Sequence, residues 1–208
     1  MEKLPLSYYL NDNVEDIAMS LLGKIIYSRV DSVITAGIIT ETEAYKGVGD
    51  KASHAYGGRF TKRTEVMYKR GGISYVYQCY GIHFLFNVVT ADINIPHAVL
   101  IRGIFPIIGI KLMLERTGKS KADYNLTNGP GKVTKALGLN ISHNNISLHS
   151  DKLWIENGLR EIRKDEIIIG PRIGVDYAGE DALLPFRYIV KMDTTLLKDF
   201  SNLVHQIV

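Results

Sequence analysis

The 208-residue chain has one cysteine, Cys79, and no uninterrupted apolar run of about 20 residues, the length that a membrane-spanning helix needs. A lone cysteine excludes an internal disulfide framework and any cysteine cluster for zinc. The longest apolar candidate, 98–110, contains Arg102 and Pro106. The first residues lack the basic start and apolar run of a signal peptide. These absences predict a cytoplasmic protein with no membrane partner.

The chain also lacks a strong excess of either charge. Lys and Arg number 25 and Asp and Glu 22, so the net charge is only +3 and any nucleic-acid binding needs a local basic face. With 46% hydrophobic and 23% charged residues, the composition is that of a globular protein. A P-loop, a Gly-x-Ser-x-Gly elbow and the His-x-Glu…Pro-Cys-x-x-Cys signature are all missing. P-loop, serine-hydrolase and zinc-deaminase chemistries are therefore excluded.

Segments with strand and helix patterns do not alternate regularly, which predicts an α+β fold with a curved antiparallel sheet flanked by helices. Residues 1–208 are expected to form a single compact domain. Asn13 is expected to cap a helix over 14–22. Strands are expected at 24–30, 33–45, 73–79, 82–90, 97–105, 152–156, 166–169 and 186–190, and further helices at 107–116, 130–137 and 195–204. The strands at 73–79 and 82–90 should form a protruding hairpin with Tyr80-Gly81 at its corner.

The stretch 38–63 begins as an apolar strand and ends in a loop rich in glycine, lysine and arginine. Because side chains alternate across a strand, Glu41, Glu43 and Tyr45 should share one face. If both carboxylates are sheltered from water, repulsion and desolvation oppose ionisation of at least one, which is how a general base is tuned. The alternative is a strand edge where both are solvated or paired with lysine or arginine.

The aromatic side chains are mostly tyrosines, 12 against one tryptophan. Several between Tyr45 and Tyr80 are interleaved with Arg59, Lys62 and Arg63, a pattern that fits stacking on bases beside phosphate contacts. The alternative is that they are ordinary strand residues. Tyr80, at a hairpin corner before Gly81, has little core to enter and is a candidate wedge for a nucleic-acid stack.

Other polar residues stand in apolar surroundings. Arg102 in an apolar strand needs an anionic or acceptor partner, for which Glu43 and a catalytic water are candidates. The Asn87 side chain either has all its hydrogen bonds within the core or points into a pocket. His54 alone fits a structural role as well as a catalytic one. Lys132 follows a Gly-Pro-Gly helix start, which either holds a phosphate or is an ordinary helix start.

Together these motifs resemble the alkyladenine (3-methyladenine/methylpurine) DNA glycosylase family. Each is weak alone, but in combination and in the family's order they are specific, and they span about 14–190. The matching motifs are Glu41-Thr-Glu43-Ala-Tyr45, His54 with Gly57-Gly58-Arg59, Tyr75-Val-Tyr77-x-x-Tyr80-Gly81, Asn87, Leu100-Ile-Arg102, Asn128-Gly-Pro-Gly-Lys132 and Arg172-Ile-Gly-Val175-Asp-Tyr-Ala-Gly-Glu180.

The resemblance implies a monofunctional enzyme that flips a damaged purine out of double-stranded DNA and hydrolyses its N-glycosidic bond, leaving an abasic site. It implies a monomer without metal or cofactor, associated with the nucleoid in a bacterium. Glu43 matches the general base and Arg102 the residue that helps to hold the water, while Tyr80 matches the residue that fills the gap in the duplex. The base pocket is matched by Tyr45, His54, Tyr77, Asn87 and Val175, and phosphate contacts are expected from Arg59, Lys62, Arg63 and Lys132.

Two other functions use the same residues. One is a non-catalytic binder of damaged bases or RNA, which would retard methylated DNA without releasing a base. The other is a bifunctional lyase, which requires a lysine amine at the pocket, and none lies within 41–45. Tyr68 and Gln78 depart from the family pattern and Asp176 has no matched role, so the lesion preference among 3-methyladenine, hypoxanthine and ethenoadenine stays open.

Overall fold

A computed structural model describes residues 2–158 and 160–207. The longer helices are α1 (Val14–Ser20), α2 (Ile110–Thr117), α3 (Pro130–Leu137) and α4 (Thr194–Ile207). The strands are β1 (Ile25–Val30), β2 (Val33–Tyr45), β3 (Ile73–Cys79), β4 (His83–Thr90), β5 (His97–Ile108), β6 (Leu153–Glu156), β7 (Ile167–Gly170) and β8 (Arg187–Val190). Short 3-10 turns connect them, among them Glu65–Tyr68 and Asp176–Leu183.

Strand β2 lies at the centre of an antiparallel sheet with the order β3-β4-β5-β2-β1-β6. One edge of β2 pairs with β5, and the other pairs first with β1 and then with β8, which also pairs with β7. The sheet curls into a half-barrel. The α+β class and the curved antiparallel sheet predicted from the sequence are confirmed.

The pairing of β2 with β5 has three irregularities, two of which are compensating bulges on either side of Glu41. Ile39 pairs with Ile104 and Glu41 with Gly103, so Thr40 is an extra residue in β2. Thr42 then pairs with Ile101, which makes Arg102 the extra residue in β5. Bulges re-aim side chains and increase local twist. The strict alternation expected along β2 is therefore broken beside Glu41, where the functional side chains lie.

Local signals account for most element boundaries. The Asn13 side chain accepts hydrogen bonds from the Glu15 and Asp16 amides, which confirms the predicted cap, although α1 ends at Ser20 rather than at 22. Gly109, with a φ of 73°, separates β5 from α2, so the strand is longer and the helix starts later than the sequence pattern indicated. None of the helices in the described part of the chain combines the length and apolar character needed to cross a membrane.

The β3–β4 hairpin turns at Tyr80 and Gly81, whose φ angles are 51° and 74°. Three residues connect the two strands, and the left-handed φ of Tyr80 and Gly81 suits the twist of a hairpin turn. The Tyr80 side chain is 89% exposed. The predicted hairpin and its corner are confirmed, and the Tyr80 side chain does not pack into the core.

Two small apolar clusters beside the main core hold the loops around the functional site. One joins Ala55, Val66 and Met67 to Tyr75 of β3. The other joins Ala52 to Val175 and Ala178. Each cluster ties the long 46–63 loop to a different part of the molecule. This loop is consequently packed against the fold and can present its side chains in defined positions.

Candidate active site

A cavity of about 650 Å³ opens between β2, β3, β4, β5 and the loops at 46–63 and 171–177. All five predicted pocket residues line it: Tyr45, His54, Tyr77, Asn87 and Val175. Arg102, Tyr80, Arg63 and Lys132 line it as well. The tertiary structure therefore brings together residues that are up to 130 positions apart in the chain (45 to 175).

The Glu43 carboxylate is completely buried directly behind Tyr45, Arg102 and Ile173, which line this cavity. Its Oε2 accepts a hydrogen bond of 2.8 Å from the Tyr45 hydroxyl. Its Oε1 accepts one of 2.8 Å from the Ile173 backbone N–H and lies 3.3 Å from Arg102 Nε. A buried carboxylate needs such donors, because an unpaired buried charge is very costly. Glu43 is thus held in one orientation by groups from β2, β5 and the 171–177 loop.

Glu41 is the closest partner of Arg102. Its Oε1 accepts a hydrogen bond of 2.9 Å from Arg102 Nε and lies 3.3 Å from an Arg187 guanidinium nitrogen. The sequence had left the partner of Arg102 open between Glu43 and a water. The bulge at Arg102 instead points its guanidinium at both carboxylates, with Glu41 nearer. Of the two interpretations of this strand, exposure at an edge is wrong, whereas the expected pairing with arginine is present.

Burial raises the pKa of Glu43 above its ordinary value. The Arg102 charge opposes this effect most strongly, followed by the hydrogen bonds from Ile173 and Tyr45, while the neighbouring Glu41 charge adds to the increase. A carboxylate with an elevated pKa is a better proton acceptor than a solvated one, provided that it stays ionised at the working pH. The three donor groups stabilise that ionised form.

His54 is held as one tautomer by its two neighbours. Its Nε2 lies 3.2 Å from an Arg63 guanidinium nitrogen, and its Nδ1 lies 2.8 Å from the Tyr75 hydroxyl. Because arginine is always a donor, Nε2 must accept and Nδ1 carries the proton. Burial, with Arg63 and Arg59 as smaller causes, lowers the His54 pKa to about 4. The imidazole is therefore neutral at physiological pH.

Tyr77 presents its ring to several neighbours at the cavity wall. The His54 ring meets it edge-on with 4.7 Å between ring centres, and the Tyr75 ring lies 5.2 Å away. The Arg63 guanidinium carbon is 4.7 Å from the centre of the Tyr77 ring. A guanidinium stacks favourably on an aromatic face. Arg63, expected to contact phosphate, thus lies against the cavity, and its phosphate contact remains a prediction.

The other residues expected to bind DNA are exposed to solvent. Arg59 and Lys62 are exposed on the loop, and Lys132 is exposed near the start of α3, which follows Gly129. Tyr177, at 71% exposure, also lines the cavity and donates a hydrogen bond of 3.1 Å to the Ala52 carbonyl. Together with Tyr80 it gives the mouth an aromatic rim.

Asn87 is both hydrogen-bonded in the core and part of the cavity lining, which the sequence analysis treated as alternatives. Its Nδ2 donates a hydrogen bond of 3.1 Å to the Tyr75 carbonyl, and the residue still lines the cavity. Cys79 is half-buried and lines the cavity too.

Sequence reasoning missed three contributors to the site. Tyr75 could have been found, since it shares a strand face with Tyr77. The Ile173 amide could not, because a backbone donor has no residue signature. The buried pair between Asp50 and Arg172 was also missed, because its members are 122 positions apart.

A second cavity, of about 660 Å³, lies beyond the Glu41–Arg102 pair. Glu41 lines the second cavity, whereas Arg102 lines the first. The walls of the second cavity are mainly aliphatic, from β5, β8 and α4, and contain neither histidine nor tyrosine. Perturbed titratable groups that converge on a cleft favour a functional site. The first cavity has them, and it is the candidate active site.

The fold and the site together give an aromatic cavity beside a buried carboxylate. The sequence profile of the methylpurine-DNA glycosylase family matches residues 8–194. A protein of Chlamydia felis named "Putative 3-methyladenine DNA glycosylase" is 49% identical over 190 residues, 91% of this chain and 96% of its own length. A Bacillus thuringiensis protein of the same name is 47% identical over 192 residues, 88% of this chain and 93% of its own. The chain belongs to the methylpurine-DNA glycosylase family.

The environment of His54 leads to a titration that can be measured directly. Its folded-state pKa is about 4, below the ordinary 6.5, so the unfolded chain binds the proton more tightly in that interval and stability falls as pH decreases through it. Nitrogen-15 NMR should show a neutral Nδ1–H imidazole down to about pH 5. Arg63→Gln should raise this pKa by removing a nearby cation, whereas Lys62→Gln should not. A His54 pKa near 6.5 in the wild type would contradict the geometry.

Proposed function

We propose that this protein is a monofunctional DNA glycosylase that removes alkylated purines of the 3-methyladenine type from double-stranded DNA. The observation that carries the proposal is the fully buried Glu43 carboxylate, which accepts a hydrogen bond from Tyr45 at the wall of a cavity that Tyr77 and His54 also line. Membership of the methylpurine-DNA glycosylase family supports the same substrate class. The protein acts as a monomer and needs no cofactor.

The base is flipped into the cavity, because its glycosidic bond cannot be reached inside the duplex. Tyr45 and Tyr77 stack on its two faces. An alkylated purine carries positive charge, and a planar cation binds well to electron-rich rings. His54 and the main chain at Val175 line the pocket around the base. Asn87 excludes guanine by crowding its amino group.

Hydrolysis then requires one activated water. Glu43 accepts a proton from the water as its oxygen attacks C1′ of the deoxyribose. The bond between C1′ and the purine nitrogen breaks, and its electron pair moves onto the cationic purine, which leaves as a neutral base. An abasic site remains in the DNA. Arg102 helps to hold the water and stabilises the Glu43 charge before the proton is transferred.

The rim of the cavity contacts the duplex. Tyr80 inserts from the hairpin corner into the gap left by the flipped nucleotide, a role that its 89% exposure permits. Arg59, Lys62, Arg63 and Lys132 contact phosphates. Arg63 has to leave Tyr77 when the base enters, because the guanidinium and the base need the same ring.

Replacing Glu43 with glutamine tests the chemistry. Glu43→Gln keeps the shape of the side chain but cannot accept the proton, so the single-turnover rate of base release should fall by about 10² or more. Binding to lesion-bearing DNA should persist. If the protein is a non-catalytic binder, the wild type itself will retard methylated DNA without releasing a base. Near-normal release by Glu43→Gln, combined with loss in Glu41→Gln, would assign the base to Glu41.

Phosphate contacts can be counted from salt dependence. Removing Arg59 or Lys62 should weaken binding to damaged and undamaged duplexes alike and reduce the slope of log K against log salt by about 0.9 for each lost contact. Lys198, exposed on α4 away from the cavity, provides the matched control, and Lys198→Ala should leave the slope unchanged. Unchanged slopes for both loop variants would place the DNA elsewhere.

The wedge role of Tyr80 is separable from the chemistry. Flipping costs a few kcal/mol of stacking and pairing, least for a base that is already unpaired. Tyr80→Ala should therefore slow release strongly from a paired lesion and little from the same lesion in single-stranded DNA. The melting temperature should hardly change, because the side chain buries little surface. An equal rate loss on both substrates would rule out the wedge.

A further inference from the structure

Asp50 and Arg172 form an ion pair that is closed off from solvent behind the active site. Their side chains are 2% and 0% exposed. Both carboxylate oxygens of Asp50 accept from the guanidinium, one of them at 2.8 Å. Such a bidentate pair fixes the orientation of both groups as well as their separation. Neither residue lines the cavity, and neither forms a hydrogen bond or an ion pair with the Glu43 carboxylate.

The pair connects the segments that surround Glu43. Arg172 also donates to the Ala44 carbonyl at 3.0 Å, directly after Glu43, and to the Asp181 carbonyl at 3.1 Å. The Asp50 carboxylate accepts from the backbone amides of Lys46 and Ala52 at 3.0 and 2.9 Å. The end of β2, the 46–63 loop and the 171–183 segment are thus joined at one buried point.

Arg172 also supports Tyr45 from outside the cavity. Its guanidinium carbon is 4.8 Å from the centre of the Tyr45 ring and 5.3 Å from that of Phe186. The same Tyr45 donates its hydroxyl to Glu43. The peptide that follows Arg172 carries the Ile173 N–H, the second uncharged donor to Glu43. Both of these donors therefore depend on where Arg172 lies.

We infer that Asp50 and Arg172 are positioning residues for Glu43: their ion pair holds the Arg172–Ile173 peptide so that its N–H donates to the Glu43 carboxylate and favours the ionised form. The inference rests on the proposed function, in which Glu43 is the general base. Loss of the hydrogen bond from the Ile173 N–H removes one of the interactions that oppose the rise in the Glu43 pKa on burial. The charged and titratable groups that face Glu43 are Glu41 and Tyr45 from β2, Arg102 from β5, Arg187 from β8 and Arg172 from the 171–177 loop.

Asp50→Asn separates positioning from simple electrostatics, because the two predict opposite signs. If only charge mattered, removing a negative group would favour ionised Glu43 and move the acid limb of the pH–rate profile to lower pH. If the pair positions the amide, the Glu43 pKa rises and the acid limb moves to higher pH. We expect an upward displacement of about one pH unit, hence about tenfold slower release on the acid side, and an unchanged plateau at alkaline pH.

The experiment is a single-turnover pH profile on one lesion duplex for wild type, Asp50→Asn, Arg172→Lys and Glu166→Gln. Glu166 forms a bidentate pair with Arg160 at 2.8 Å, remote from Glu43, and its variant should keep the wild-type acid limb. Circular dichroism establishes folding at each pH. Because breaking one side of a buried pair can unfold a protein, the double variant Asp50→Asn/Arg172→Gln is measured as well, since it leaves no unpaired charge and keeps hydrogen-bonding groups at both positions. It should show the same upward displacement.

Each result decides the inference. Asp50 and Arg172 have a structural role alone if the acid limb stays in place or moves to lower pH. The same conclusion follows from a uniform rate loss at all pH values, or from unfolding of every variant at the pair. Glu43→Gln, measured in parallel, tests the proposed function separately. If Glu43→Gln retains activity with the wild-type acid limb, Glu43 is not the base. If Glu43→Gln is inactive and the Asp50→Asn limb does not move, only the positioning role is rejected.

Discussion

Burying the negative charge of Glu43 is the constraint on which the rest of the site depends. A carboxylate without solvent is stable only where donors replace the lost water. The three donor groups come from separate places: Arg102 from β5, Tyr45 from the end of β2 and the Ile173 amide from a loop that is 130 positions away in the chain (43 to 173). The sheet and both loops must therefore be in place before Glu43 can remain charged.

Irregularity in the central sheet makes this arrangement possible. A regular ladder would place Arg102 opposite a β2 residue and direct neighbouring side chains to alternate faces. The paired bulges at Thr40 and Arg102 instead bring one guanidinium between two carboxylates. Glu41 compensates the arginine charge and Glu43 faces the cavity wall. This division gives two adjacent acidic residues different environments, and hence different chemistry.

The cavity is preorganised by contacts that lie outside it. Small apolar clusters under Ala55 and Ala52 hold the 46–63 loop, and the Asp50–Arg172 pair joins that loop to the 171–183 segment. The Arg63 guanidinium stacked on Tyr77 shows that the ring is available to a planar cation. The walls of the pocket are therefore in place before DNA arrives, and apart from the displacement of Arg63 little ordering entropy is spent there on binding.

Local signals in the sequence determined the elements and the membership of the site. Asn13 caps α1, Tyr80 and Gly81 turn the hairpin, and the family motifs identify the residues that line the cavity. Other features depended on tertiary structure. The partner of Arg102 depended on strand register, since a bulge shifts which residues meet. The Ile173 amide and the Asp50–Arg172 pair depended on chain folding, because a backbone donor has no residue signature and the two charges are far apart in the chain. Residue identity states which groups are available, but only packing decides which of them meet and lose their water.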